Sequence, residues 1–242
     1  ILAIAVWAVS KRSAEVPIKL PLILLALVSF QALLGMWTVT LNLLPVVVMG
    51  HLLGGFSVLT CLFLLYLRLS RYRIGFVDMR IKRYATFAAL GIVVLVGQIA
   101  LGGWTSANYA ALACTEFPVC EGDWLNRIDM AGAYSVPEAA NYEYGAHDYA
   151  ERMTMHIVHR LGAVITFLYL GWLAISLYRR SASQHLRNAS VVLVLVLLAQ
   201  VGLGISNVVF SLPLQVAVLH NAVAACLLLV LVLITYTLYR KV

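Results

Sequence analysis

Residues 20–41 read LPLILLALVSFQALLGMWTVTL, an uncharged run from Leu20 to Leu41. As a helix rising 1.5 Å per residue, it crosses roughly 30 Å of hydrocarbon. Five further runs of this kind follow, at Val46–Leu67, Ala85–Trp104, Thr154–Leu177, Ala189–Phe210 and Leu214–Tyr239. Ile1–Ser10 is as apolar but spans only about 15 Å of helix, half a crossing. Of the chain's 242 residues, 63% are hydrophobic and 11% charged, whereas soluble domains run near 45–50% and about 25%. A water-soluble fold has nowhere to place that much apolar surface. The sequence predicts an all-α polytopic membrane bundle with six complete spans and part of a seventh.

The formal charge of +7 is distributed in a way that excludes a nucleic-acid partner. Most Lys and Arg fall in short connections: Lys11, Arg12 and Lys19; Arg68 to Arg83; Arg179, Arg180 and Arg187; Arg240 and Lys241. Eight of the ten acids fall between Glu116 and Glu151, inside one long loop, residues 105–153. Basic connections mark the cytoplasmic side of a membrane protein. The acidic, Tyr-rich loop is then outside, where its length points to a functional cap.

An internal repeat organises the chain. Gln31-Ala-Leu-Leu-Gly35 is matched by Gln200-Val-Gly-Leu-Gly204, and His51 by His220, both at an offset of 169 residues. A third copy, Gln98-Ile-Ala-Leu-Gly102, opens the long loop, and His159 follows that loop. The offset places a counterpart of His159 about ten positions before residue 1. Four spans per copy is an even number, so the halves share orientation as parallel repeats. The small residue four along from each Gln lets helices approach closely. The division expected is 1–67, a first half; 68–84, a cytoplasmic linker; and 85–242, a second half that includes the outer loop 105–153.

Each of His51 and His220 lies about 9–10 Å into its helix from the outer end, and His159 starts its helix from the same side. Ionisable residues inside a membrane are costly and functional by default. No four-ligand thiolate site of the structural zinc type accompanies them; Cys61 and Cys226 lie deeper and read as small core residues. Two histidines on neighbouring helices, amid apolar and glycine-rich surface, suit the axial positions of a heme. Gly54, Gly55 and Gly162 would let a flat macrocycle lie against the backbone. Arg160, beside His159, is placed to pair a heme propionate, which favours His159 over His156 as ligand. His147 and His185 read as solvated loop histidines. Cys114 and Cys120, both outside, are expected to form a disulfide, either structural or redox-active.

Taken in order, Phe30-Gln31 to Thr40, Gly50-His51-Leu-Leu-Gly54-Gly55, Gly97-Gln98 to Thr105, Cys114 to Cys120 and His156-Ile-Val-His159-Arg160-Leu-Gly162 resemble the heme A synthase family. The resemblance covers essentially the whole chain. It implies eight spans in two four-helix halves and oxidation of a methyl group of heme O to the formyl of heme A. His159 and His220 would hold a b-type heme as electron relay, and His51 would face the substrate heme. A catalytic Glu and the partner of His51 are expected upstream of residue 1, so the chain by itself is expected to be inactive. The setting implied is a bacterial inner membrane, with lipid, heme O synthase and oxidase assembly factors as partners. The sequence does not identify the electron acceptor. The rival reading is a non-catalytic diheme membrane cytochrome exchanging electrons with quinone, whose histidine pairs would look much the same.

Overall fold

The computed structural model describes residues 1–11, 18–70 and 81–239. Arg12, Arg71, Arg73, Arg80, Arg240, Lys241 and most of the expected linker lie outside the described residues. Eight α-helices appear among the described residues: α1 (Leu2–Ser10), α2 (Lys19–Thr40), α3 (Pro45–Leu69), α4 (Tyr84–Ala107), α5 (Met130–Ala133), α6 (Tyr149–Arg180), α7 (Gln184–Val209) and α8 (Leu214–Tyr239). Six of them are 22 to 32 residues long and apolar enough to cross a membrane. Their outward faces carry exposed Leu33, Val39, Val93, Ile165, Leu168 and Leu195. A helix apolar on all sides is at home only where its solvent is lipid. The protein is a polytopic membrane helix bundle, as expected.

The expected spans fall within a few residues of the helices, except at the starts of α6 and α7. Helix α7 begins at Gln184, five residues before the expected Ala189, and α6 begins at Tyr149, five residues before its apolar run. Asp148 caps α6: its side chain accepts from the Glu151 N–H, while the Glu151 side chain accepts from the Asp148 N–H. This reciprocal pairing satisfies two otherwise orphan donors, so a polar first turn extends the helix beyond what hydropathy reveals.

Helices α4, α6, α7 and α8 form a ring in which each packs on the next and α8 returns to α4. That order places α6 and α8 on the diagonal. The core of the ring, including Ala88, Leu170, Leu173, Leu177, Leu193, Leu231 and Ile234, is nearly sealed from solvent. The last buried residue of α7 is Leu197 and the first of α8 is Ala224. Packing is therefore tight toward the basic ends and stops one turn short of Gln200 and His220.

The repeat is visible in the backbone. At the end of α2 the N–H groups of Leu41, Asn42 and Leu43 donate to Trp37, Val39 and Thr38; at the end of α7 those of Phe210, Ser211 and Leu212 donate to Ser206, Val208 and Asn207. Every pair is offset by 169. Asn42, Leu43, Ser211 and Leu212 all have positive φ, the left-handed close of a Schellman-type cap. The end of α4 repeats the pattern through Asn108, Tyr109 and Ala110, but only Tyr109 has positive φ. There the chain leaves for the outer loop instead of turning back.

Candidate functional site

The hairpin closes of α2 and α7 fix the depth at which His51 and His220 enter α3 and α8, and the Asp148 cap sets the start of α6 for His159. Each imidazole then faces a glycine on the helix beside it. A Cβ on Gly35 would lie 3.2 Å from Cε1 of His51, one on Gly204 3.2 Å from Cε1 of His220, and one on Gly102 2.8 Å from Cε1 of His159. The glycine four residues past each glutamine thus makes a notch for an imidazole rather than a general close approach of helices.

One turn inward, the glutamines do the complementary thing. The Gln31 amide occupies the space a Cβ on Gly54 would need, 1.4 Å from Nε2, and Gln98 Oε1 would lie 2.3 Å from a Cβ on Gly162. Gly54 and Gly162 thus cradle glutamine side chains, while Gly55 has open space beside it. Gln98 Nε2 sits 3.1 Å from His159 Nδ1 and 3.0 Å from the His159 carbonyl. Gln200 Nε2 sits 3.2 Å from His220 Nε2 and 3.4 Å from Nδ1. The glutamine–histidine contacts were not foreseen from sequence. The signal was there in the Gln, Gly and His spacing shared by the copies.

His159 on α6 and His220 on α8 stand on opposite helices of the ring, close enough to interact electrostatically. They are diagonal, not neighbouring as expected. His51 is exposed on the α2–α3 pair. His156 is turned elsewhere: buried under the outer loop, it hydrogen-bonds the backbone of Ala110.

Cys114 and Cys120 form the expected disulfide and are both buried. Arg160 clamps that loop, donating through Nη1 to the carbonyls of Glu116 and Pro118 and through Nη2 to that of Cys114. Its Nε is buried with no hydrogen-bond partner. Glu121 closes the loop, accepting from the Thr115 hydroxyl and from the Thr115 and Glu116 N–H groups. Those bonds, the hydroxyl's first, hold its carboxyl down at about 2. His147 is buried rather than solvated, its Nδ1 2.8 Å from Glu151; His185 is exposed, as expected.

A family model described as cytochrome oxidase assembly protein matches residues 1–232. The chain is 49% identical, over its whole length and 73% of the relative's, to the heme A synthase of Shewanella oneidensis. The chain belongs to the heme A synthase family. It is also similar to the heme A synthases of Agrobacterium fabrum, at 30% identity over 88% of this chain and 58% of that protein, and Rickettsia prowazekii, at 24% over 87% and 61%. The notched histidines, the clamped disulfide loop and the capped repeats are thus features of a heme A synthase family scaffold.

Proposed function

We propose that this chain contributes the heme sites of a heme A synthase, an oxidoreductase that converts a methyl group of heme O to the formyl of heme A. The observation that carries the reading is that His159 and His220 stand on diagonal helices of one four-helix ring, close enough to interact electrostatically. Heme fits the residues present. Imidazole nitrogens are good iron ligands, the glycine notches hold both rings, and the packed core ends just beneath them. When bound, a bis-histidine heme b supplies a one-electron redox centre. His159 and His220 would hold it, the leucine-rich core would help to exclude water from it, and Arg160 Nε, which has no partner, would be a donor for a propionate. His51, on the other helix pair, faces the substrate heme O. The protein lies in a bacterial inner membrane with loop 105–153 on the periplasmic side, and it works beside heme O synthase and oxidase assembly factors.

A pyridine hemochrome count with low-temperature absorption tests the assignment. One low-spin b-type heme is expected, lost in His159→Ala and in His220→Ala and kept in His51→Ala. A spectrum lost with His51 but surviving loss of His220 would assign the sites to the opposite halves. Two permanently held hemes would favour the electron carrier.

A further inference from the structure

We infer that Gln98 is a positioning residue for His159, setting which ring nitrogen carries the proton and how the imidazole is turned. The inference rests on the reading of His159 as an axial ligand given above. A neutral imidazole has one N–H, and a ring that gives its Nε2 lone pair to iron carries that proton on Nδ1. The group that meets Nδ1 therefore decides whether the ligand is ready. Gln98 is that group. Its Nε2 lies 3.1 Å from Nδ1 and 3.0 Å from the His159 carbonyl, while its Oε1 is buried with no hydrogen-bond partner. With Gln98 on Nδ1, Nε2 is the ring nitrogen left for iron.

An amide nitrogen only donates. In the arrangement seen, Nδ1 accepts and the ring proton sits on Nε2, closed to a metal. A half turn about the last side-chain bond exchanges the two ends of the amide in nearly the same volume. Oε1 then accepts from Nδ1–H, and Nε2 of the ring is free. The His159 carbonyl is not orphaned by this turn, because the α6 ladder supplies it with the N–H four residues on. The unpartnered oxygen of the first arrangement is the acceptor that the second one uses.

Gly162 makes this possible, since a Cβ there would meet Gln98 Oε1 at 2.3 Å. The equivalent position after His220 is Val223. There the Gln200 amide reaches both ring nitrogens and does not single out Nδ1. The two ligands are unequal, and His159 is the one with a dedicated partner.

The test uses heme-loaded full-length protein in detergent, with Gln98→Glu, Gln98→Leu and, as reference, His159→Ala. Heme midpoint potential, low-spin electron paramagnetic resonance and heme retention are read for each. Gln98→Glu, a stronger acceptor for Nδ1–H, is expected to shift the potential downward. Gln98→Leu, which offers no acceptor, is expected to shift it upward and to weaken heme retention about tenfold or more, as loss of an outer-shell partner does. A purely structural side chain would not give shifts of opposite sign. If Gln98→Leu fails to fold, Gln98→Met, an unbranched side chain with no strong acceptor, takes its place, so that the comparison of signs is kept. Wild-type potential and resonance in the Gln98 variants, with the heme lost in His159→Ala, would overturn the role of Gln98 only. Heme that survives His159→Ala would overturn the heme assignment beneath it.

Discussion

His51, His159 and His220 owe their settings to what stands opposite them, and the three notches are not equally tight. Gly102 leaves less room than Gly35 or Gly204, 2.8 Å against 3.2 Å. A methyl at Gly102 must displace the His159 ring, whereas one at Gly204 needs a few tenths of an ångström. Gly102→Ala is therefore expected to lose heme on purification more severely than Gly204→Ala, measured as heme per protein. Glu121 offers a second residue-scale test. Its carboxyl moves from an ordinary 4.5 to about 2 in the closed loop. A depressed carboxylate stabilises fully above its unfolded value and loses that contribution as pH falls through the folded one. The disulfide loop should thus be held most firmly above pH 4.5 and progressively less between 4.5 and about 2. With a phosphine reductant, Glu121→Gln should open Cys114–Cys120 faster at pH 7, and the difference from wild type should vanish near pH 2. The histidines and cysteines were legible because their types are rare in such a chain and their spacing repeats. The buried His147 and the Gln98 contact were not, since both depend on which segment closes over them.

The span helices were legible because apolar runs of that length admit few other structures. Their ends were less so, being set by hydrogen bonds of single polar residues. Asp148 illustrates this: its capping box begins α6 in sequence that reads as loop. Asp148→Ala should cost about 1 kcal/mol, the usual worth of an N-cap. Faster hydrogen exchange confined to residues 149–153 would show it, and unchanged exchange there would count against the cap. The shared close of α2, α4 and α7 was foreshadowed only by the glutamine motif. Residues as different as Asn42, Tyr109 and Ser211 take the left-handed position, so composition gave no warning.

At the scale of the molecule, the acidic loop ties the bundle together at one end. Trp104 donates to the Ala133 carbonyl, Asn42 to that of Ala140, and the Tyr142 N–H to that of Asn42. The loop thus reaches from the end of α4 to the α2–α3 turn. The outside placement proposed for it rests on charge placement. A cysteine at the exposed Ser135 should be labelled in intact cells by an impermeant maleimide, and one at His185 only after lysis. The reverse pattern would invert the topology. The 169-residue offset has a last expression at the other end, where the Tyr236 hydroxyl donates to the carbonyl of Leu67, its own counterpart, 3.4 Å away. Counterparts touch where a two-fold axis passes, as in an isologous dimer. Two identical subunits would have to bring the same side chain to that axis twice. Joined in one polypeptide, the two copies are released from self-complementarity: tyrosine can answer a backbone carbonyl, and valine can replace glycine beside one histidine alone.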